Sequence, residues 1–518
     1  MAEILRMRRI EKIYPNGVVA NNGIDFSVDT GEIHALAGEN GAGKSTLMKI
    51  LFGIEQPTGG SISFIDMEKE IKIKSPVDAI QKGLGMVHQH FMLVESMTVA
   101  ENIVLGTEPV KGGFIDKKKM MADAREIIEK YNFDINPGDR IRDLPTGTRQ
   151  KVEILKALFQ KAKLLILDEP TAVLTPQETG ELFQQLNHLK SLGHTVIFIS
   201  HKLNEVKEIC DRITILRNAK TAGVYDVAKV SKQEISNLMM GKDVDWDIHK
   251  SPAKPGRTVL KTENLTVVDN ENRHLLHGIS LNLKAGEILG IAGVEGNGQR
   301  ELIESITGLR RPDAGTAELA GKNILSLSIK RIRNAGMAHI PQDRMSKGAA
   351  LTSSIMENLV SVSYNRDREL KKGPFMNLRK IFRRSEDLVR DFLIKAKSPL
   401  TQVKMLSGGN IQKVVVAREF TSGSLCIVAD QPTRGIDIGA AKFIHKELVR
   451  LRDEGAAVLL VSADLSEVMD LSDRLLVMYG GRATAFFDYG AEVTEEELGL
   501  YMLGIKKQSP EELQKCMA

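Results

Sequence analysis

The sequence predicts an α/β protein in which one domain, a mainly parallel sheet covered by helices, occurs twice in tandem. Three observations predict it. Short apolar runs at 164–167 and 195–199 have the character of buried strands, and polar helical stretches separate them. A glycine-rich turn at 38–46 recurs at 293–301, an offset of 255 residues. Three further pairs recur in the same order, each 262 residues apart: Leu144-Pro145-Thr146-Gly147 with Leu406-Ser407-Gly408-Gly409, Asp168-Glu169-Pro170-Thr171 with Asp430-Gln431-Pro432-Thr433, and Ser200-His201 with Ser462-Ala463. Four features in one order at nearly one spacing mark a duplication, and the period is far too long for a solenoid.

Element by element, residues 32–37 read as a short apolar strand feeding the glycine turn, and 44–52 continue as a helix. Residues 117–131 and 149–161 read as amphipathic helices. The first domain is expected over 1–241 and the second over 257–506. Between them, 242–256 is charged, holds two prolines and a glycine, and lacks a sustained apolar period, so it reads as a linker. The sole tryptophan, Trp246, lies in it and is expected to pack the linker onto a domain. Residues 507–518 read as a polar tail.

Composition narrows the class. Of the 518 residues, 42% are hydrophobic and 27% charged, which excludes a wholly disordered chain. Lys plus Arg number 71 against 67 Asp plus Glu, and a net charge of +4 argues against a dedicated nucleic-acid binder. Cys210, Cys426 and Cys516 are far apart, so neither a disulfide framework nor a structural zinc site is expected, and a reducing compartment fits. The N-terminus shows no signal-peptide pattern, and no apolar run approaches the length of about 20 residues that spans a bilayer. Any membrane role would need other subunits.

The first half carries a complete set of phosphate-handling groups. Gly38, Asn40, Gly41, Gly43, Lys44 and Ser45 belong to a G-x-x-x-x-G-K-S turn, followed by Thr46. Its glycines let backbone N–H groups converge on phosphate oxygens, and the helix that follows adds its positive end. Lys44 supplies a cation for the β- and γ-phosphates, and the Ser45 hydroxyl suits Mg²⁺. Asp168 ends an apolar strand with Glu169 beside it, which offers one metal holder and one base for an attacking water. His201 follows another strand end. His88 and His90 flank Gln89, but without further nearby ligands they do not make a metal site.

This order of glycine turn, Gln89, Leu-x-x-Gly, Asp-Glu-Pro-Thr and Ser-His resembles the ATP-binding cassette of ABC transporters, over about residues 4–505. The resemblance implies two tandem P-loop NTPase domains. Each would combine a mainly parallel core with an antiparallel β subdomain and a helical subdomain bearing the signature. It implies ATP and Mg²⁺ as ligands, with Ser45, Gln89 and Asp168 at the metal. Glu169 resembles the general base, His201 the switch histidine, Gln89 the Q-loop glutamine, and Tyr14 the aromatic residue that stacks on adenine.

The two halves differ in opposite ways. In the second, Gln299 and Arg300 stand where Lys44 and Ser45 do, Gln431 replaces Glu169, Ala463 replaces His201, and Asp269 takes the place of Tyr14. Yet Ser407, Gly408 and Gly409 form an intact signature, and Asp437 follows in a D-loop-like Arg-Gly-Ile-Asp. In the first, Pro145 and Thr146 break the signature, and Thr175 stands where Asp437 does. Cassettes of this family pair head to tail. The resemblance therefore implies one complete composite site, built from the first half's nucleotide groups and the second half's signature, and one degenerate site that collects every defect.

A tandem, asymmetric pair is similar to the ATPase subunits of bacterial importers for simple sugars and nucleosides. Residues 87–94, 98–103 and 152–158 are most similar to the nucleoside branch, with a simple sugar such as ribose or galactose as the alternative. The implied partners are two integral-membrane permease subunits and an extracytoplasmic substrate-binding protein, with the chain at the cytoplasmic face of the membrane and no nucleic acid involved. A soluble tandem cassette acting on ribosome or DNA is the alternative of another class. Against it stand the linker of about 15 residues, the single complete site and the lack of cysteine clusters. Phe91, Met92 and Leu93 either offer an apolar groove to a permease helix or pack in the core.

Overall fold

The computed structural model describes residues 2–514 except 16, 40, 67, 89, 90, 172, 173, 201, 242–249, 365, 366, 373, 374 and 437; the side chains of 240, 372, 438 and 514 are also left aside. The chain divides into two compact units, Met1–Trp246 and Asp247–Ala518.

In the first unit a six-stranded sheet runs in the order Lys220–Asp226, Arg212–Arg217, Ile33–Gly38, Thr195–Ile199, Leu164–Asp168, Leu84–Val87. All neighbours are parallel except the edge pair Lys220–Asp226 with Arg212–Arg217. Every residue of Ile33–Gly38 and of Thr195–Ile199 is buried, which is why these strands read as continuous apolar runs rather than alternating ones. The strand Ile33–Gly38 is central, so the glycine turn leaves the sheet at its carboxyl edge, where α/β folds build ligand crevices. A separate antiparallel sheet, Val19–Asp29, Glu3–Ile13 and Gly59–Phe64, alternates buried and exposed residues. Its apolar face (Leu5, Met7, Ile10) joins Leu47 and Leu51 of the helix Lys44–Leu51 in one core.

The helices Val99–Val104, Lys117–Lys130 and Thr146–Phe159 form the helical part of this unit. The last begins three residues earlier than the apolar period of 149–161 indicates. Pro145 occupies its N-cap, where a missing N–H deprives the helix of nothing.

The second unit repeats the plan. Its six strands run Met337–Ile340, Cys426–Asp430, Ala457–Val461, Glu287–Ala292, Arg474–Tyr479, Arg482–Phe487, with only the last pair antiparallel. Its antiparallel sheet has four strands. The backbone shares unusual positions as well: Glu169 and Gln431 have φ of 49° and 51°, and Gly43 and Gly298 have 104° and 100°. Within the stretch read as a polar tail, a short helix Pro510–Gln514 forms. Gln508 there exchanges hydrogen bonds with the backbone of Phe486, and Leu513 packs on the core. Lys250, in the expected linker, donates to the carbonyls of Leu471 and Ser472. Trp246 lies outside the described residues.

Candidate functional site

The glycine turn of the first unit is shaped by close approach. Gly43 caps the helix Lys44–Leu51 in the left-handed region, and a Cβ there would come within 2.4 Å of the Ala20 carbonyl oxygen and 2.5 Å of Asn21 Nδ2. Asn21 donates to the Gly43 carbonyl at 3.1 Å, which fixes the start of the helix. Lys44 is only 7% exposed, and its ammonium donates to the carbonyls of Gly38 (2.6 Å) and Glu39 (3.1 Å). Three donors therefore meet two acceptors of the loop, and one stays available to an anion. Burial holds the Lys44 pKa below its ordinary value, while the negative charges of Glu169, Asp168 and Glu39 oppose that shift.

Asp168 ends its strand opposite Ile199. Burial raises its pKa; the like charge of Glu169 adds to the rise, and Lys44 and Lys49 work against it. Glu169 donates its backbone N–H to the Ile199 carbonyl at 2.9 Å, in a left-handed conformation that turns the chain sharply at the sheet edge. Lys44, Asp168 and Glu169 are thus brought together from sequence positions 124 and 125 residues apart. A half-buried carboxylate (Asp168), an exposed hydroxyl (Ser45) and a buried lysine that carries the opposite charge are the donor types that suit a Mg²⁺-bound triphosphate. Tyr14 donates to Glu55 at 2.8 Å, and its hydroxyl lies 3.5 Å from that of Thr46, so its ring stands next to the phosphate-loop helix. Asn40, Gln89, His201 and Asp437 lie outside the described residues.

In the second unit the corresponding groups bind one another. Gln299 takes the place of Lys44 inside the loop, donating to the Val294 carbonyl at 3.1 Å. Glu295 accepts from Gln342 at 3.1 Å and lies 3.7 Å from Arg434. Arg300 pairs with Glu304, which Arg310 and Lys347 also contact. Burial pushes Asp430 up to about 7, with the charge of Glu295 adding to the rise and the Gln342 backbone, Arg434 and Lys347 opposing it. Gln431 accepts the Ala463 N–H at 3.0 Å. Asp269 closes a turn by accepting from Arg273, so it supplies no ring.

The signatures differ in what occupies their backbone donors. In the first unit the Gly147 N–H donates to Glu178 at 3.1 Å, and Glu178 also forms a capping box with buried Thr175. Counting on 262 residues, position 178 corresponds to Ala440, which has no carboxylate. In the second unit Ser407 caps the helix Gly408–Phe420 and accepts from Asn410 at 2.8 Å. Arg344 lies against that signature: its guanidinium donates to the carbonyls of Arg434 (2.5 Å) and Gly435 (3.2 Å), and a Cβ on Gly408 would meet it at 2.9 Å.

Sequence reasoning missed Glu178, Arg344 and Glu153. The signal for Arg344 was in reach, since Gln342-Asp343-Arg344 stands where the first half has Gln89-His90-Phe91. Glu153, on the signature helix, is 6% exposed and accepts the Met92 N–H. Burial pushes it up to about 7. Met92 itself is exposed, so core packing does not account for it. His88 packs edge-on against Phe52.

The family model described as ABC transporter matches the chain twice, over residues 21–172 and 276–434. The chain is 45% identical to the guanosine import ATP-binding protein NupO of Bacillus subtilis (strain 168), covering 97% of this chain and 98% of that protein. It is 40% identical to the nucleoside import ATP-binding protein NupA of Lactococcus lactis subsp. cremoris (strain MG1363), covering 94% and 95%. It is 38% identical to the ribose import ATP-binding protein RbsA 1 of Rubrobacter xylanophilus (strain DSM 9941 / JCM 11954 / NBRC 16129 / PRD-1), covering 97% and 99%. Among solved structures, the complex of archaeal ribosomal stalk protein aP1 with the ribosome recycling factor aABCE1 matches with a TM-score of 0.57 at 18% identity, covering 92% of this chain and 89% of that one. That likeness is one of fold alone.

Proposed function

The chain belongs to the ABC transporter family, and from that premise we propose that it is the ATP-hydrolysing subunit of a nucleoside importer, working with one catalytic and one degenerate ATP site. The observation that carries the reading is the 45% identity, over nearly the full length of both chains, to a guanosine import ATP-binding protein. In this reading the first domain spans 1–241 and the second 257–506. Two permease subunits hold the chain at the cytoplasmic face of the membrane, and an extracytoplasmic binding protein selects the cargo.

The chemistry follows from the first unit. Lys44 and the backbone donors of the glycine turn bind the β- and γ-phosphates, and Tyr14 lies against the adenine. Ser45, Asp168 and Gln89 would hold Mg²⁺, which neutralises charge on the transferred phosphoryl group. Glu169 orients a water and takes its proton as the water oxygen bonds to the γ-phosphorus and the bond to the β–γ bridging oxygen breaks, which releases ADP and phosphate. His201 steadies the γ-phosphate. Ser407, Gly408, Gly409 and Asp437 complete the site from the second half. Supporting this assignment is the sorting of defects: Gln299, Gln431 and Ala463 fall with Pro145 and Thr175, while every intact group falls on the other side. Glu178 adds to it, since the damaged signature has its own carboxylate on the Gly147 donor.

ATPase assays on the transporter complex test this. Glu169→Gln should lower turnover by about two orders of magnitude or more, and Gln431→Ala should change it little. Equal losses would refute the asymmetry. Cells lacking the subunit should lose guanosine uptake; loss of ribose uptake with guanosine uptake intact would replace the nucleoside reading by the sugar one.

A further inference from the structure

We infer that each of the two units carries a β-hairpin that binds an anionic lipid surface. In the first, Val110–Lys111 pairs with Phe114–Ile115. In the second, Lys371–Lys372 pairs with Phe375–Met376, at an offset of 261 residues. Each hairpin is a separate two-stranded sheet, and each leads directly into a helix, Lys117–Lys130 or Leu378–Asp391.

Both expose a phenylalanine. Phe114 is 82% exposed and Phe375 is 76% exposed, and Val110, Ile115, Met376 and Leu378 are exposed beside them. Single exposed apolar residues need no explanation, but a contiguous group at the same place in both copies does. Each such side chain left in water forgoes the free energy of burial. A bare two-stranded hairpin is itself marginal in stability, so nothing in its own packing rewards the exposed ring. The groups are present in both halves, although the halves differ at Lys44, Ser45, Glu169 and His201.

Charge identifies the occupant. Residues 110–119 (Val-Lys-Gly-Gly-Phe-Ile-Asp-Lys-Lys-Lys) hold four lysines and one acid. Residues 371–380 (Lys-Lys-Gly-Pro-Phe-Met-Asn-Leu-Arg-Lys) hold four basic residues and no acid. The first stretch carries a net +3 and the second a net +4, against +4 for the whole chain. The one acid, Asp116, is engaged in capping its helix by accepting from the Lys119 N–H. Lys117, Lys118 and Lys119 are all exposed, as are Arg379 and Lys380. Exposed apolar side chains next in sequence to exposed cations match the boundary between acyl chains and anionic headgroups, and lysine stems can lie along it with their charges outward. A protein socket would demand one outline, whereas here Ile115 corresponds to Met376 and Val110 to Lys371, so the outline differs while an exposed phenylalanine and flanking cations recur. Among the described residues no helix is long and apolar enough to cross a membrane.

The inference goes beyond the transport reading, and its test needs neither nucleoside nor permease. The full chain, purified alone, is floated with vesicles of phosphatidylcholine or of phosphatidylcholine with phosphatidylglycerol. Flotation is expected with the anionic vesicles only and should be released by high salt. The double variant Phe114→Asp with Phe375→Asp should weaken vesicle binding about tenfold or more, with an unchanged melting temperature and unchanged basal ATPase. Absence of flotation on anionic vesicles overturns the inference, as does a double variant that floats like the parent. Should the parent fail to float while the double variant loses co-purification with the permease, the hairpins dock on protein and the lipid assignment falls.

Discussion

Replacing Glu153 by glutamine should stabilise the first unit at alkaline pH and do little at acid pH. Glu153 is buried on the signature helix and its carboxyl is pushed up from 4.5 to about 7, chiefly by burial, with the Met92 N–H and Lys156 pulling the other way. Its second oxygen has no hydrogen-bond partner among the described residues. In the unfolded chain the group ionises near its ordinary value. Between pH 4.5 and 7 the folded state therefore keeps a proton that the unfolded state has released, so stability falls as pH rises through that window and levels off above it. A shift of this size corresponds to about 3 kcal/mol at pH 8. Glutamine retains an oxygen for the Met92 N–H and has no charge to bury. The variant should match the parent near pH 4.5 and exceed it by up to about 3 kcal/mol at pH 8. For a unit of this size that is a rise in melting temperature of roughly 6–12 °C. Scanning calorimetry of parent and variant across pH measures it, with attention to the transition of the first unit, because two units need not melt together. Asp430 is displaced in the same direction but contributes equally to both proteins. A difference between parent and variant that is constant with pH, or that shrinks as pH rises, would refute the argument.

Other perturbations give distinct outcomes. Lys44→Ala should abolish ATP binding at the first unit, read by fluorescent-nucleotide titration, because Gly38 and Glu39 carbonyls would then face the triphosphate without a cation. Arg344→Ala should lower ATP turnover about tenfold with little change in KM, and Arg344→Lys should restore it only in part, since an ammonium lacks the planar fork whose two nitrogens reach the Arg434 and Gly435 carbonyls separately beside Gly408. Equal recovery by lysine would make the charge alone sufficient. Glu178→Ala removes a capping box and the acceptor of the Gly147 N–H, so the first unit should lose about 1–2 kcal/mol in urea melts.

Much of the fold was legible because its signals are local. The strand Thr195–Ile199 was read to the residue, since a strand buried on both faces leaves an unbroken apolar run. The start of the signature helix was not, because its first turn is set by Pro145 as cap and by the Glu178 carboxylate 31 residues away, neither of which perturbs the apolar period. Short-range turn chemistry likewise announced the phosphate loop, whose glycines are demanded by backbone angles and by contacts with Ala20 and Asn21.

By itself the sequence determined that one domain is duplicated, that the first copy holds lysine, hydroxyl and paired carboxylates for a phosphate, and that the second has lost the lysine, the hydroxyl and one of the two carboxylates. These are matters of residue type and spacing, which the chain states directly. Only the tertiary structure decided what the altered positions do instead. Gln299 bonds to its own loop, Glu295 is held by Gln342, Glu178 takes the donor of the damaged signature, and Arg344 braces the intact one. Those partners are brought together by sheet and helix packing across tens of residues. A hydrogen bond depends on where two atoms end up, and no spacing rule along the chain encodes that.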